Sequence, residues 1–266
     1  MITIEEINRE LSTKIFGKII FPFEDIDSTN NFAKLLSNEE AQNGTLIITE
    51  HQTKGRGRFN RTWESERGKN LTFTVILTQL ENIFNGKESL AHLGMLPLFT
   101  AGAISKSIEN VTGLITECKW PNDILINNKK ITGILTESSF SEKILTRIII
   151  GIGVNVNQDI FSDEIKNHAA SLKIFLGKSV NRIKLLAEML QALEDMYFKF
   201  LENRYSELIL EWKSRCTMFG KSIYINQSGK IITGIALRLD NDGRLIIDSN
   251  GSEIKVLAGD VTISKQ

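Results

Sequence analysis

Four strand-like segments follow one another between residues 114 and 156, and this succession constrains the fold more than any other feature of the sequence. They cover residues 114–119, 123–127, 130–140 and 144–156. Asn127 and Asn128 stand between two of them and suit a two-residue hairpin turn, because asparagine tolerates the positive φ angles that such turns need. Segments joined by such short connections are typical of a meander, in which each strand pairs with its neighbour in sequence.

Helical and strand-like patterns alternate before the meander. Thr3-Ile4-Glu5-Glu6 fits a capping box and predicts a short first helix. A second helix is expected to begin at the polar corner formed by Ser28, Thr29 and Asn30. Pro97 is suited to the first turn of a third helix that runs to residue 111. Strands are predicted at 15–23, 46–50 and 71–77.

The pattern changes after the meander. Apolar residues recur at three- and four-residue intervals between 182 and 213, which predicts one or two amphipathic helices. Four short strands follow at 221–225, 230–239, 244–248 and 253–257, separated by turn-forming residues. A small β-barrel of roughly fifty residues is the simplest interpretation. We therefore predict a larger domain at residues 1–214 and a small domain at residues 215–266.

The balance of charges limits the partners that the chain can attract. Thirty-two basic residues balance thirty-two acidic ones, so no overall field draws the molecule to nucleic acid or to an anionic membrane. The longest stretch free of formal charge, 89–105, is short and contains His92 and Pro97, so it is poorly suited to a bilayer. Neither nucleic acid nor a membrane is expected as a partner, and any anion site must be local.

The few cysteines and histidines bear on location and on metals. Cys118 and Cys216 lie far apart, and the N-terminal residues are rich in charge rather than apolar like a secretory signal. The cytoplasm, which is reducing, is the expected location. None of these side chains stands at ligand spacing, so no structural zinc site is expected.

Residues 52–63 form a segment crowded with glycine and arginine between two predicted strands. Its cations are Lys54, Arg56, Arg58 and Arg61, and Gly55 and Gly57 lie between them. Glycine lets backbone amides approach a ligand, and arginine presents forked donors that match phosphate or carboxylate. The segment predicts a loop that wraps an anion, although a solvated basic loop and a nucleic-acid contact have the same composition. No Gly-Lys-Ser/Thr closes it, so it is not a Walker phosphate loop.

Three further segments place polar residues or glycines at the ends of strands. Lys119-Trp120-Pro121-Asn122-Asp123 surrounds a turn with a cation, an amide and a carboxylate. Lys129 and Lys130 begin the next strand, and Gly133 leaves room for a close approach to its backbone. Gly151-Ile152-Gly153 lies in the last strand of the meander. Taken singly, these are an ordinary turn, a pair of surface lysines and a strand that passes a close neighbour.

Taken together, the segments resemble biotin protein ligases in order and in spacing. The matching segments are Asp27–Asn30, Gln52–Trp63, Lys119–Asp123, Lys130–Gly133 and Gly151–Asn155, within a resemblance that spans residues 19–260. The resemblance is to the monofunctional type that lacks an N-terminal DNA-binding domain. It implies an α+β fold in which a mixed, largely antiparallel sheet is flanked by helices, as in class II synthetase-like biotin ligase catalytic domains. A small C-terminal SH3-like β-barrel would follow.

The resemblance also implies roles for individual side chains. Biotin and biotinyl-adenylate contacts are implied for Ser28, Thr29, Asn30, Gln52, Gly55, Arg56, Gly57, Arg58, Lys130 and Gly133. The ATP and adenine side is implied for Arg61, Trp63, Lys119, Asn122, Asp123 and Asn155, with Asp123 also the implied magnesium ligand. Phe59 and Asn60 stand where the family often has arginine and glycine, which leaves the strength of adenylate retention open.

The implied reaction has two steps. The carboxylate of biotin attacks the α-phosphate of ATP to give biotinyl-5′-AMP and pyrophosphate, and an acceptor lysine then attacks the mixed anhydride. Lys130 is expected to bridge the carboxylate and the phosphate, while Arg56 and Arg58 close over the adenylate and magnesium neutralises the pyrophosphate. The implied partner is the biotin carboxyl-carrier domain of a carboxylase, and a homodimer is compatible with the family.

Three other functions stay open on the sequence. A lipoate–protein ligase shares the fold and the adenylate chemistry, but Ser28, Thr29 and Gln52 suit the ureido ring of biotin better than a dithiolane. A biotin-responsive repressor would need a DNA-binding module, and the residues before Asp27 predict only a short helix and a strand. A catalytically silent biotin-binding protein would have no use for the full set of charged candidates.

Overall fold

The computed structural model describes residues 1–78, 80, 92–142, 144–227, 230–256 and 259–263. Its larger sheet is built from β1 (Ile20–Ile26), β2 (Leu46–Gln52), β3 (Leu71–Leu77), β4 (Glu117–Lys119), β5 (Asp123–Ile126), β6 (Lys129–Ser141) and β7 (Ile144–Val154). The strand order is β1-β2-β3-β7-β6-β5-β4. β1 and β2 run parallel and the other neighbouring pairs are antiparallel, which confirms the mixed, largely antiparallel sheet.

Helices cover this sheet. They are α1 (Ile4–Glu10), α2 (Thr29–Leu35), α3 (Leu96–Thr112), α4 (Leu172–Leu176), α5 (Arg182–Leu201) and α6 (Tyr205–Lys213). The capping box at Thr3 and Glu6 opens α1, and Pro97 lies in the first turn of α3, both as predicted. α3 packs against α5, α6 and the sheet, where the main hydrophobic core forms, while a smaller cluster lies beneath α2. α4 is the one helix here that the sequence pattern did not predict.

The meander forms as expected, and its first strand departs most from the prediction. Asn127 and Asn128 have φ angles of 49° and 62°, the pair of positive values that the two-residue turn requires. The strand expected at 114–119 begins only at Glu117, so the prediction for its first half is wrong. Thr116 donates its backbone N–H and its hydroxyl to Glu109 Oε1, at 3.2 Å and 2.7 Å, and therefore holds this stretch to the end of α3 instead of the sheet.

The first strand also begins later than the expected range of 15–23. The backbone amides of Lys14, Ile15 and Phe16 donate to the carboxylate of Glu194, at 2.5–2.9 Å. Glu194 lies on α5 and is 2% exposed. A local apolar pattern does not reveal a distant buried acceptor, which here takes the amides that a strand would have used.

A second sheet of five antiparallel strands lies at the C-terminal end of the sequence. Its strands are β8 (Ser222–Gln227), β9 (Lys230–Leu239), β10 (Leu245–Ser249), β11 (Ser252–Val256) and β12 (Asp260–Ile263). Their order is β11-β10-β9-β8-β12, in agreement with the expected small SH3-like unit. β12 was not predicted. Trp120 Nε1 donates to Gly243 O at 2.9 Å, which joins the turn before β5 to this sheet.

The uncharged stretch at 89–105 is described from His92 onward. Residues 92–95 form a 3-10 turn and the following residues enter α3, while 89–91 lie outside the described residues. Among the helices of the described ranges, none combines the length and the apolar character needed to cross a membrane.

Candidate functional site

A cavity of about 1000 Å³ lies against β6 and β7, between the start of α2, the loop at 52–63 and the edge of the second sheet. Every residue that the resemblance implied for the site lines this cavity, except Gly55. The fold therefore brings together segments that are separated by more than a hundred residues in the sequence.

The start of α2 forms a buried polar end of the cavity. Ser28 caps the helix, and Ser28, Thr29 and Asn30 are each less than 5% exposed. Thr29 donates its N–H and its hydroxyl to Gln52 Oε1, at 2.8 Å and 3.1 Å. Thr74 Oγ1 donates to Asn30 Oδ1 at 2.7 Å. These contacts fix the directions of hydroxyl and amide groups before any ligand arrives.

The loop at 52–63 closes on itself through its backbone. Gly57 N donates to Arg61 O at 2.7 Å, and Trp63 N donates to Gly55 O at 3.0 Å. A Cβ atom at Gly55 would collide with the carbonyl oxygen of Trp63, so only glycine allows this closure. Gly55 thus shapes the loop from outside the cavity lining, whereas Arg56, Gly57 and Arg58 lie in the lining as expected.

Arg56 contacts two groups outside the loop. Its Nη2 donates to Asn31 Oδ1 at 2.8 Å and lies 3.2 Å from Glu137 Oε2. Asn31 belongs to α2 and Glu137 to β6. The guanidinium of Arg56 is therefore already oriented by a helix and a strand of the sheet.

Arg58 and Arg61 extend toward the other end of the cavity. Arg58 Nη1 donates to Asn122 Oδ1 at 3.2 Å, and Arg61 Nη2 lies 2.5 Å from Asp260 Oδ2 on β12. Burial lowers the pKa of Arg58, although the charges of Asp260 and Asp123 partly offset the effect. The second sheet thus contributes a carboxylate to the site.

Lys130 belongs to the lining of the cavity. Its Nζ is 2.7 Å from Asp123 Oδ1, and the side chain is 34% exposed, so an entering ligand can reach it. The backbone of Lys130 is bonded on both sides to the segment after β7, because its N–H donates to His168 O at 2.7 Å and its carbonyl accepts from Ala170 N at 3.1 Å. The side chain that carries the ammonium group therefore extends from a backbone that is fixed by hydrogen bonds.

Lys119 adds a second cation beside the same carboxylate. Burial lowers the pKa of Lys119, the charge of Asp123 offsets part of this, and the charge of Lys130 lowers the pKa further. Lys119 and Arg58 thus lie in the field of both Asp123 and Asp260, and Lys130 pairs with Asp123. Cations are therefore concentrated in this part of the cavity although the chain has no net charge.

Trp63 lies on a floor made by two glycines. Gly133 on β6 and Gly153 on β7 are register partners. A Cβ atom at Gly153 would overlap the indole of Trp63, and one at Gly133 would meet the indole at 3.0 Å. Gly151, two residues earlier on β7, lies equally close to the side chain of Asn30. The close neighbours that the glycine pattern predicted are therefore two site residues.

Four features of the site were missed from the sequence. Thr74 is one of two threonines in the otherwise apolar strand β3, and this contrast is a signal that could have identified it, whereas Glu137 stands among other polar residues of β6. Asp260 and the segment at 164–169 line the cavity itself, but nothing in their local pattern marks them. Both depend on the way in which distant parts of the chain are packed.

The two cysteines take no part in the cavity. Neither belongs to its lining, and both are free thiols. Burial raises the pKa of Cys118 to about 12 and that of Cys216 to about 11, so both thiols are protonated at neutral pH. Neither thiol is activated as a nucleophile.

The fold and the cavity indicate the class of protein. They are those of an enzyme whose site joins a buried hydrogen-bonding end to a cluster of cations. Sequence comparison then identifies the family. The model of the Biotin/lipoate A/B protein ligase family matches residues 23–155, and that of the Biotin protein ligase C terminal domain matches residues 218–263. The bifunctional ligase/repressor BirA of Bacillus subtilis is 33% identical over 260 residues, which cover 97% of this chain and 78% of that protein. The chain belongs to the biotin protein ligases within this family.

Two other relatives agree with this placement. A biotin–[acetyl-CoA-carboxylase] ligase of Mycobacterium tuberculosis is 28% identical over 222 residues, which cover 82% of this chain and 78% of that protein. The biotin protein ligase from Aquifex aeolicus, solved in complex with biotin and ATP, superposes with a TM-score of 0.79 at 28% identity. That superposition covers 94% of this chain and all of the other.

Proposed function

We propose that this chain attaches biotin to a lysine of a biotin carboxyl-carrier domain, with ATP as the second substrate and biotinyl-5′-AMP as the intermediate. The observation that carries the proposal is the arrangement of one cavity with two unlike ends. Thr29 and Gln52 form a hydrogen-bonded, buried end, while Lys130, Arg58 and Lys119 surround the other. A molecule with a polar ring and an anionic tail matches both ends.

The polar end suits the ureido ring of biotin. The ring offers N–H donors and a carbonyl acceptor, and the hydroxyls of Ser28 and Thr29 and the carboxamide of Gln52 line the cavity where they can meet it. A dithiolane has neither an N–H nor a carbonyl group to meet these side chains, and each hydrogen-bonding capacity that a buried ligand leaves unmatched costs about 1–3 kcal/mol. The lipoate–protein ligase alternative is accordingly not favoured.

The cationic end suits adenylate formation. The carboxylate oxygen of biotin attacks the α-phosphorus of ATP, the bond from phosphorus to the bridging oxygen breaks, and pyrophosphate leaves with the electron pair. The two reactants carry like charges, so nearby cations lower the barrier. Lys130, Arg56 and Arg58 are the groups assigned to this role. Lys130 would exchange its contact with Asp123, now 2.7 Å away, for the carboxylate and the phosphate.

Trp63, Asn122 and Asn155 are assigned to the nucleotide side, together with Arg61 and Lys119. Among the residues that the structure describes, Trp63 Nε1 and Asn155 Oδ1 are buried side-chain atoms that have no hydrogen-bond partner, so each keeps a hydrogen-bonding capacity that a ligand could use. Magnesium fits the same side, because it binds through one or two carboxylates together with substrate phosphates. Asp123 would hold it, and the ion would supply positive charge to the departing pyrophosphate.

The direct experiment is to incubate the protein with biotin, ATP, magnesium and a biotin carboxyl-carrier domain and to measure the intact mass of the acceptor. We expect a biotin-sized increase at one lysine. Omission of ATP should abolish this mass increase. Lipoate supplied in place of biotin should leave the mass of the acceptor unchanged. An acceptor of unchanged mass in the complete mixture would reject the proposal.

Removal of the Lys130 ammonium group should slow adenylate formation. Lys130→Ala should cost about 2.7–4 kcal/mol of transition-state stabilisation, by analogy with the loss of one preorganised donor, and biotin-dependent ATP–pyrophosphate exchange measures it. Lys129→Ala is the matched control. Lys129 is the adjacent residue, but its ammonium donates to Lys166 O and Asn167 O and does not line the cavity. An exchange rate for Lys130→Ala within tenfold of the Lys129→Ala rate would contradict the assignment.

Several properties stay part of the proposal. Residues 1–214 and 215–266 are proposed as two domains, and the protein is proposed to act in the cytoplasm without a nucleic-acid partner. A homodimer is compatible with the family. Light scattering after size-exclusion chromatography, with and without biotin and ATP, measures the oligomeric state, and DNA titration at low salt tests the expected lack of nucleic-acid binding.

A further inference from the structure

Glu137 is a half-buried carboxylate that joins three parts of the protein. It lies on β6, and its Oε1 is 2.7 Å from Lys34 Nζ. Its Oε2 accepts from Asn30 Nδ2 at 2.9 Å, and both oxygens lie 3.2–3.3 Å from Arg56 Nη2. Glu137 is not among the residues that line the cavity, so it meets the ligand-binding groups from behind.

The carboxylate is held in its ionised form. Burial raises the pKa of Glu137, but hydrogen bonds from Lys34 and Asn30 and the charges of Lys34 and Arg56 outweigh it, so the net pKa is lowered. A fixed negative charge therefore faces the loop. Because Lys34 is already close to Oε1, the charge of Arg56 is not needed to neutralise Glu137. The ion pair between Glu137 and Arg56 therefore serves mainly to fix the position of Arg56.

The orientation of the Arg56 side chain matters because the backbone hydrogen bonds of the loop hold the main chain but not the guanidinium. Arg56 lies between Gly55 and Gly57, whose backbones are bonded to Trp63 and Arg61, so the main chain is fixed here while the long side chain keeps its rotational freedom. Its guanidinium is 39% exposed, so solvent competes for it. The contacts to Glu137 and to Asn31 select one orientation among many, which is the condition for a preorganised binding group.

We propose that Glu137 is a positioning residue that holds the guanidinium of Arg56 over the biotin end of the cavity before substrate binds. The expected change in the KM for biotin rests on the proposed function. The expected position of Arg56 in the ligand-free protein does not. Arg56 would bind the developing adenylate, and Glu137 would act only through Arg56. Loss of the ion pair should then weaken the binding of biotin, because Arg56 is no longer held where the ligand enters, while Lys130 and Arg58 stay in place for the reaction.

Glu137→Gln is the informative variant. Its carbonyl oxygen can still accept from Asn30, so the change removes the charge and keeps the shape. We expect the KM for biotin in ATP–pyrophosphate exchange to rise about tenfold, the effect of losing one charge-assisted hydrogen bond, with kcat changed much less. Lys34→Met is the matched control, because it removes the other ion pair of the same carboxylate and leaves Arg56 in place. It should leave the KM within twofold of the unchanged protein.

A double variant tests whether the effect passes through Arg56. If it does, Glu137→Gln added to Arg56→Ala should raise the KM for biotin no further than Arg56→Ala alone. A further tenfold rise in the double variant would overturn the inference, as would a KM for Glu137→Gln that matches the Lys34→Met control.

Limited trypsin digestion of the ligand-free protein supplies a measurement that does not depend on biotin. Trypsin must take the side chain of Arg56 to cut the bond to Gly57, and the ion pair with Glu137 withholds it. Mass spectrometry should show this bond cut several times faster in Glu137→Gln than in Lys34→Met, with equal melting temperatures. Equal cleavage rates would overturn the positioning role. If the unchanged protein shows no biotin-dependent exchange, the proposed function fails, and the digestion still decides the role of Glu137.

Discussion

Lys119 illustrates how a single residue of the site is tuned by its surroundings. Burial lowers its pKa, Asp123 offsets part of that effect, and Lys130 adds to it, so the ammonium group loses its proton at a lower pH than the ordinary lysine value of 10.5. A bound triphosphate favours the charged form and raises the pKa again. The affinity for ATP must therefore depend on pH through this group if Lys119 faces the nucleotide.

The predicted pH dependence has a definite sign. The KM for ATP should rise as the pH increases through the lowered pKa of Lys119, because the cation that attracts the phosphates is then lost. Lys119→Arg should move this rise to higher pH, since arginine keeps its charge up to about pH 12. ATP–pyrophosphate exchange measured from pH 6 to 10 tests this, with Lys129→Arg as control. If the KM for ATP depends on pH in the same way in both variants, the assignment of Lys119 to the nucleotide side is wrong.

At the residue scale, the sequence predicts a group when chemistry and spacing coincide. Ser28, Arg58 and Lys130 all belong to short segments with unusual composition, and all line one cavity. Glu137 and Asp260 do not belong to such segments. Each acts through a partner that is distant in sequence, Arg56 or Arg61, so its role depends on packing that no local pattern encodes.

At the element scale, the glycines of β6 and β7 are explained by the side chain that covers them. Gly133 and Gly153 stand opposite each other, and the indole of Trp63 occupies the space that their side chains would fill. Trp63 thus lies flat against the sheet at the end of the loop. A planar ring held in this way can stack on an adenine, which is the role assigned to it.

We predict that Gly153→Ala displaces Trp63. The added methyl group would overlap the indole, and overpacking of this kind costs about 1–3 kcal/mol. We expect the KM for ATP to rise about tenfold or more, which corresponds to about 1.4 kcal/mol of lost binding. Exchange kinetics give the KM, and urea unfolding gives the change in stability.

The matched comparison for this prediction is a double variant. In a Trp63→Ala background the indole is gone, so Gly153→Ala should have almost no further effect on the KM for ATP. Full additivity of the two changes would mean that Gly153 acts independently of Trp63.

The elements themselves were largely predictable. The hairpin at Asn127 and Asn128, the capping box of α1 and the proline in the first turn of α3 are local devices, and each was confirmed. The errors at 15–19 and 114–116 share one cause. In both places a carboxylate, Glu194 or Glu109, takes backbone amides that a strand would have used.

At the scale of the whole molecule, the hydrophobic core crosses the predicted boundary at residue 214. One continuous cluster contains Phe99 and Trp120 from the larger sheet side and Ile223 and Leu245 from the second sheet. The ion pair between Arg61 and Asp260 crosses at the cavity itself. Folding of the second sheet and completion of the site are therefore linked through shared contacts.

A buried ion pair ties the N-terminal segment, β2 and α5 together. Glu50 is 6% exposed and Arg182 is 17% exposed, with Arg182 Nη1 2.6 Å from Glu50 Oε2. Glu50 Oε1 also accepts from the N–H of Ile2 at 2.6 Å. Burial raises the pKa of Glu50, but the hydrogen bonds from Arg182 and Ile2 and the charge of Arg182 outweigh it, so the net pKa is lowered from 4.5.

The sign of the resulting pH dependence follows from that lowered pKa. The contribution of Glu50 to stability is complete above pH 4.5 and is lost as the pH falls through the lower folded-state value. Arg182→Ala should cost about 3–5 kcal/mol at pH 7, because it leaves a buried carboxylate without its cation. At pH 4 the gap to the unchanged protein should narrow, since the unpaired carboxyl can then be protonated.

Urea unfolding at pH 7 and at pH 4 measures both free energies. Glu50→Gln is the control: it has no charge to lose, so the pH dependence of its unfolding free energy should be shallower than that of the unchanged protein between the two conditions. A gap for Arg182→Ala that stays constant from pH 7 to pH 4 would show that the loss arises from packing of the arginine side chain rather than from the uncompensated charge of Glu50.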